Sequence, residues 1–213
     1  MEDAREQITE SVAFIGETLG PLFLYDPADA AVAPVYEAIA ALDAEEAAAA
    51  WPFAAPEDAA RALSLLCEGL ARGVDDALVW EYRRLFTGPA AKVAPPWGSV
   101  YTDRECVVFG ESTLALRQWL REVGIEVPGR GNEPEDHIGL MLVLMAWIAR
   151  ERPELLDDYL AQHLLTWASH FLGIVQQGTE HPFFQGLAQL TAASLAGVQD
   201  ALQLQVTVPR FYR

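Results

Sequence analysis

The chain has 213 residues, and its 31 acidic residues against 14 basic ones give a formal net charge of −17. This acidity argues against DNA, RNA or an anionic membrane surface as a partner, because each of these is bound through a basic patch. A hydrophobic fraction of 52% is too high for a disordered protein, and the length suffices to bury a core. We therefore predict a single domain over residues 1–213 and consider a cationic partner.

Cysteine content and the N-terminal sequence predict a cytoplasmic setting. Cys67 and Cys106 are too few for a disulfide framework or a four-sulfur metal site. The chain begins with acidic residues and not with the basic segment and apolar run of an export signal. The longest nearly continuous apolar stretch, 138–149, is shorter than the roughly 18–20 residues of a membrane span, so it predicts a buried helix and no stable membrane insertion.

Apolar residues recur at helical spacing over the first part of the chain, and proline and glycine divide it into segments. The first predicted helix carries apolar residues between Ile8 and Leu19 and ends at Gly20 and Pro21. Three more helices are predicted over 31–50, 57–71 and 75–86.

Helical periodicity then stops over residues 87–110, which contain three prolines and three glycines. A loop of about 20 residues inside a compact domain is more often functional than accidental. Ser112 is the predicted N-cap of the next helix, which ends near Gly124.

A glycine-rich link over 128–131 leads to the predicted central helix, which runs to about Glu151. Asn132 is its expected N-cap, Pro134 its first-turn proline and Glu135 its capping-box residue. Two further helices are predicted over 153–173 and 181–204. No segment alternates as a strand would, so the predicted fold class is all-α, a globular helical bundle with one long ordered loop that contains proline and tryptophan.

Motifs of catalysis and cofactor binding are missing from the sequence. It has no Gly-x-Ser-x-Gly turn and no phosphate-binding glycine loop, and His163 and His170 do not form a zinc-binding pattern. We therefore predict no cofactor and no metal. Asp136 and His137, in the first turn of the predicted central helix, form a polar pair that suits either general-base chemistry or helix capping. With no nucleophile nearby we favour a binding or structural role.

Aromatic residues in the long loop suggest a surface for an apolar peptide. The segment Pro95-Pro96-Trp97 is stiff and is expected near the surface, and exposed proline and aromatic side chains suit peptide binding. Phe86, Trp119 and Trp147 are instead expected to be core residues, because they lie on apolar helical faces.

Six sequence runs follow one another in a distinctive order along the chain. They are YRRLFTGP at 82–89, APPWGSVY at 94–101, DRE at 103–105, FGESTLALRQW at 109–119, EPEDH at 133–137 and HPFF at 181–184. Together these runs resemble the TorD/DmsD family of cytoplasmic maturation chaperones for molybdenum-containing redox enzymes. Within the family, the Pro-Pro-Trp-Gly-Ser-Val version of the loop resembles the branch that serves dimethyl sulfoxide reductase.

The resemblance implies an all-helical protein that is not an enzyme. It implies binding of the twin-arginine leader of a reductase precursor, so that export waits for cofactor loading. Contact with the reductase itself stays open, as does the choice between a monomer and a domain-swapped dimer that exchanges halves at a hinge near 128–133. Two alternatives remain, a small helical enzyme that uses Asp136 and His137 as acid and base, and a nucleotide-binding regulator.

The resemblance also implies which residues bind the leader. Relatives have a tryptophan at the position of Tyr82, whereas here Trp80 lies two residues earlier, so both are candidates. The residues that match the family's leader-binding segments are Leu85, Phe86, Pro95, Pro96, Trp97, Gly98, Ser99, Asp136 and His137.

A leader of this kind has an apolar segment and an arginine pair, so its receptor needs an apolar groove and carboxylates. We expect the groove to be lined by Leu85, Phe86, Trp97 and Tyr101. We expect the flanking carboxylates to be Asp103, Glu133, Glu135 and Asp136.

Overall fold

The computed structural model describes residues 2–126 and 133–213. Within these ranges the regular structure is helical, and the extended pairing is confined to one antiparallel bridge between Trp97 and His137. The predicted all-α fold class is therefore confirmed. No helix in the described ranges is long and apolar enough to cross a membrane. The predicted hinge lies outside the described residues apart from Glu133, and the single-domain assignment stays a prediction.

The described ranges contain six α-helices of 11 to 23 residues and five shorter ones. A 3₁₀ turn covers Pro153–Leu155, and π-helical turns cover Arg83–Thr87 and Leu160–Leu164. The α-helices are α1 (Glu2–Leu24), α2 (Ala33–Ala40), α3 (Ala44–Ala50), α4 (Pro56–Gly69), α5 (Asp76–Tyr82), α6 (Ser99–Thr102), α7 (Glu111–Glu122), α8 (Ile138–Glu151), α9 (Leu156–Tyr159), α10 (Ala168–Gly178) and α11 (Pro182–Ala201).

The predicted end of the first helix at Gly20 and Pro21 is wrong, since α1 continues to Leu24. A proline inside a helix removes one backbone hydrogen bond. The following residues, Leu22 and Phe23, are fully buried, and burying two large side chains stabilises the last turn by several kcal/mol, on the order of the proline's cost. The predicted helix over 31–50 is instead two helices, because the side chain of Asp43 caps α3 by accepting from the amides of Glu45 and Glu46, at 3.0 Å each.

Two predicted helix starts in the second half are also wrong. Gly110 and not Ser112 precedes α7, and no side chain caps it. The central helix α8 begins at Ile138, so Pro134 and Glu135 precede it. The predicted helix over 153–173 is interrupted at 165–167, and α10 begins only at Ala168. The predictions over 57–71, 75–86 and 181–204 agree with the helical segments 56–69, 76–87 and 182–201.

An aromatic cluster fills the centre of the core. The ring of Phe86 lies 5.9 Å from the ring of Phe23, 6.1 Å from that of Phe171 and 5.9 Å from that of Phe184, measured between centroids. These rings come from α1, the π-helical turn after α5, α10 and α11. Because one side chain contacts three others at favourable aromatic separations, Phe86 joins distant parts of the sequence.

Helices α1 and α8 approach each other closely through glycine. A Cβ added at Gly16 would lie 2.2 Å from the backbone oxygen of Leu142, and one added at Gly139 would lie 2.8 Å from the backbone nitrogen of Leu24. Backbone atoms cannot move aside as the end of a side chain can, so this helix pair requires glycine at these positions.

We predict that Gly16→Ala lowers the free energy of unfolding by about 1–3 kcal/mol, because the added methyl group overpacks the α1–α8 contact. Urea denaturation followed by circular dichroism measures the change. Gly173→Ala in α10 is the matched control, since no atom lies within 4 Å of its added Cβ. It should raise stability by about 0.5–1 kcal/mol through helix propensity alone. Equal effects of the two substitutions would contradict the close approach of α1 and α8.

Candidate functional site

Two backbone hydrogen bonds fix the long loop to the start of α8. The amide of Ile138 donates to the carbonyl oxygen of Pro96 at 2.8 Å, and the amide of Gly98 donates to the carbonyl oxygen of Asp136 at 3.1 Å. We call the paired segments 96–99 and 136–138 the loop latch. These interactions explain why α8 begins at Ile138, because His137 before it is extended and the residues on both sides of His137 are bonded to the loop.

The carboxylate of Asp136 is buried in the loop latch. Its Oδ2 accepts from the backbone amide of Ser99 at 2.7 Å, and the side chain is almost fully inaccessible. Burial raises the pKa of Asp136 above its ordinary value, although the Ser99 amide and the nearby hydroxyls of Thr113 and Ser99 act in the opposite direction. Neither hydroxyl makes a hydrogen bond of standard geometry within the described residues. Asp136 therefore acts as an internal support for the loop.

His137 caps α8 and does not lie inside it. Its Nδ1 accepts from the backbone amide of Gly139 at 3.1 Å, which assigns the proton of the neutral ring to Nε2. The ring meets that of Trp97 edge to face at 6.2 Å between centroids. Since Nδ1 is used by the cap and the ring is buried, the geometry supports the structural interpretation of the Asp136-His137 pair and not general-base chemistry.

Trp97 is the latch residue whose side chain is partly exposed. Its Nε1 donates to Oε1 of Glu133 at 2.6 Å, and the ammonium group of Lys92 lies 5.4 Å from the ring centroid. The indole is thus held in one orientation between a carboxylate and a cation, which limits the surface that it offers to a peptide.

The segment that follows Trp97 packs against α10. A Cβ at Gly98 would lie 2.7 Å from the ring of Trp167, so this contact requires glycine. The ring of Tyr101 stacks on that of Trp167 at 6.0 Å, and its hydroxyl donates to the carbonyl oxygen of Pro95 at 2.7 Å. Burial raises the pKa of Tyr101 above its ordinary value. The loop is therefore an ordered part of the core.

Most of the residues expected to bind the leader are buried in this structure, so their role in leader binding stays a prediction. The aromatic and aliphatic residues among them lie in the core, Pro96 lies in the loop latch, and Pro95 is buried next to the latch. Trp147, which was expected in the core, is 43% exposed, whereas Trp119 packs against Tyr159 at 5.8 Å between ring centroids. The buried candidates are Tyr82, Leu85, Phe86, Pro95, Pro96, Gly98, Ser99 and Tyr101.

The structure separates the two alternative residues at the end of α5. Tyr82 is buried, and its hydroxyl donates to the carbonyl oxygen of Phe23 at 3.0 Å. Trp80 is 63% exposed. Of the two, Trp80 is the side chain that a bound peptide can reach.

The expected carboxylates do not form a single rim. Glu135 makes a two-pronged ion pair with Arg117 at 2.7 and 2.6 Å, and although burial raises the pKa of Glu135, the Arg117 hydrogen bonds outweigh it and lower the pKa. Asp136 is buried, and Glu133 binds Trp97. Asp103 lies where a side chain at Gly110 would be, since an added Cβ there would overlap its carboxylate. Only Asp103 borders the surface groove described next.

A groove of about 500 Å³ that the sequence patterns did not predict lies along residues 102–114 of the long loop and the start of α7. Phe109 is 45% exposed, and its backbone has a positive φ of 64°, as does that of Cys106 at 50°. Such conformations are uncommon away from glycine and often mark functional segments. The sequence feature that could have indicated this groove is the apolar run Val107-Val108-Phe109 between the acidic residues Glu105 and Glu111. We call this surface the loop groove. Its apolar residues are Val107, Phe109, Leu114 and Tyr212, and its charged residues are three carboxylates and one guanidinium, from Asp103, Glu105, Glu111 and Arg104.

Within the described ranges, no group of three or more histidine, cysteine, aspartate or glutamate side chains is arranged to hold a metal ion. The two cysteines are free thiols.

We predict that His137→Ala destabilises the protein by about 1 kcal/mol or more, because α8 loses its cap. His137→Asn should cost less, since an asparagine side chain can accept from the same amide. Thermal unfolding of both variants measures the difference. Equal losses would show that the ring contacts of His137 matter and its capping does not.

Asp136→Asn should change the pH dependence of stability. In the wild type the folded state holds a proton on Asp136 more tightly than the unfolded chain does, so stability falls as the pH rises from about 4 toward neutrality. Asparagine keeps an oxygen for the Ser99 amide and carries no charge. The variant should therefore gain stability relative to the wild type over this pH range in urea titrations. A difference that is constant with pH would contradict a strained buried carboxylate.

Comparisons with known proteins place the chain among chaperones. A family model described as the nitrate reductase delta subunit matches residues 54–173. The Tat proofreading chaperone DmsD of Salmonella typhimurium is 40% identical over 205 residues, which cover 96% of this chain and 97% of that protein. The probable Tat proofreading chaperone DmsD of Haemophilus influenzae is 38% identical over 96% and 98%. The chaperone protein YcdY of Escherichia coli is 28% identical over 87% and 92%.

These relatives are named as chaperones, so the chain is not an enzyme. The motifs noted in the sequence, the all-α fold and the match over nearly the full length agree. The chain belongs to the TorD/DmsD family of redox-enzyme maturation chaperones, within the family described as the nitrate reductase delta subunit.

Proposed function

We propose that this chain is a cytoplasmic chaperone that binds the twin-arginine leader of a molybdenum reductase precursor of the dimethyl sulfoxide reductase type. By holding the leader, it delays export until the cofactor has been loaded. Two relatives at 38–40% identity carry the name Tat proofreading chaperone, which supports this assignment.

The observation that carries the proposal is the composition of the loop groove. A twin-arginine leader joins a cationic segment to an apolar one. The loop groove presents Val107, Phe109 and Leu114 beside the carboxylates of Glu105 and Glu111. Apolar side chains that stay exposed in the folded chain gain free energy when a peptide covers them, and neighbouring carboxylates favour a cationic peptide over a neutral one.

The loop latch gives this groove a fixed shape. Phe109 and its neighbours follow directly from the segment that Asp136 and the Pro96–Ile138 hydrogen bond hold in place. A receptor that is already ordered loses less conformational entropy on binding. In this account Asp136 and His137 are positioning residues, and substitutions there weaken leader binding by disordering the loop.

We predict that Phe109→Ala weakens binding of a synthetic twin-arginine leader by about tenfold, because it removes an exposed aromatic anchor. Isothermal titration calorimetry measures the affinity. Phe14→Ala is the matched control, since Phe14 is 44% exposed on α1, outside the loop groove. It should leave the affinity unchanged.

Added salt, or replacement of both leader arginines by alanine, should also weaken binding to the wild type. Failure of the wild type to bind any molybdoenzyme leader from its own genome would rule out the proposed function. Equal losses for the two phenylalanine variants would move the site away from the loop groove.

A further inference from the structure

A second surface cleft, of about 990 Å³, lies between α5 and the link that joins α10 to α11. None of its lining residues belongs to the loop groove or the loop latch. We call it the Trp80 cleft. Its lining includes Asp76, Trp80, Glu81, Arg84, Thr179 and Glu180.

Trp80 is the most exposed large hydrophobic side chain among the described residues, at 63%. The guanidinium carbon of Arg84 lies 5.7 Å from its ring centroid. The indole thus already contacts one guanidinium, and more than half of its surface remains open to solvent. An exposed tryptophan face is the best aromatic partner for a cation.

The floor of the Trp80 cleft is held by a buried carboxylate. Glu81 accepts two hydrogen bonds from Arg84, at 2.7 and 2.8 Å, and one from the hydroxyl of Thr179. Burial raises the pKa of Glu81, but these hydrogen bonds outweigh it and the pKa is lowered, so the group is ionised at neutral pH. Glu81 and Arg84 therefore neutralise each other and keep the walls of the cleft together.

Two further carboxylates in the cleft have no such partner. Within the described residues, the side chains of Asp76 and Glu180 make no ion pair and accept no hydrogen bond of standard geometry, although Glu180 is near enough to Arg84 to interact with its charge. Burial lowers the pKa of His181, so its ring is neutral at pH 7. The charged groups lining the cleft are thus three carboxylates and one guanidinium, a net charge of −2. This excess of negative charge favours a cationic occupant.

The Trp80 cleft is also connected to the long loop. The amide of Val93 donates to the carbonyl oxygen of Arg84 at 3.3 Å, and the side chain of Val93 packs on Gly178. Val93 precedes the loop latch by three residues. The segment that forms one edge of the cleft therefore continues into the segment that supports the loop groove.

We propose that the Trp80 cleft binds an arginine of the client leader, with its guanidinium on the open face of Trp80 and between the carboxylates of Asp76 and Glu180. This inference rests on the proposed function and adds to it. The loop groove holds the apolar part of the leader, and the Trp80 cleft holds its cationic part.

The test combines variants of the cleft with variants of the leader. Binding of a fluorescently labelled twin-arginine leader is measured by anisotropy for the wild type and for Asp76→Asn/Glu180→Gln and Trp80→Ala. The same proteins are titrated with a leader in which both arginines are replaced by glutamine. Glu45→Gln/Glu46→Gln, on exposed positions of α3, and Trp147→Ala, at 43% exposure, are the matched controls.

Each cleft variant should weaken binding of the arginine leader by about five- to tenfold at low salt. The glutamine leader should bind the cleft variants and the wild type equally, because it has no guanidinium to lose. The controls should match the wild type with both leaders.

Normal binding of the arginine leader by the cleft variants would overturn the inference and leave the proposed function intact. Equal losses of affinity for both leaders would also overturn the inference, since the cleft would then not recognise the arginine side chains. Failure of the wild type to bind the leader would contradict the proposed function itself. Far-ultraviolet circular dichroism verifies that each variant is folded.

Discussion

The pairing of the long loop with the start of α8 is the constraint on which the rest of the structure depends. Two backbone hydrogen bonds cross between these segments, and a third runs from the amide of Ser99 to the buried carboxylate of Asp136. Burying that carboxylate is unfavourable by itself, as the raised pKa of Asp136 indicates. The protein tolerates it because one carboxylate orders a loop that would otherwise have no regular structure, and His137 then caps the helix that follows.

This constraint divides the family motifs into supporting and contacting residues. Phe86, Pro96 and Tyr101 are buried, so packing is sufficient to explain their identities. The surface that remains for a peptide comes from their neighbours, Phe109 in the loop groove and Trp80 in the Trp80 cleft. If the proposed sites are correct, substitutions in both classes weaken leader binding, and only those in the second class do so without lowering stability.

Local patterns in the sequence predicted the all-α fold and the helices α4, α5 and α11, because each has a clear apolar face between proline or glycine boundaries. Boundaries set by distant contacts were missed. Helix α1 passes through Pro21 because Phe23 is buried, and α8 starts at Ile138 because the preceding residues pair with the loop. The loop groove was missed for the same reason, since aromatic side chains in a loop look alike in sequence whether the fold buries them or exposes them.

These two surfaces account for the location of a small part of the net charge of −17. Carboxylates border both the loop groove and the Trp80 cleft, while most of the acidic residues lie elsewhere on the surface. Hydrogen–deuterium exchange of the chain with and without a twin-arginine leader tests the account most directly. We expect the bound leader to slow amide exchange in residues 103–114 and 76–84, and to leave amide exchange in residues 8–19 of α1 unchanged. Protection confined to α1 and α8, with no change in the two acidic surfaces, would contradict the account.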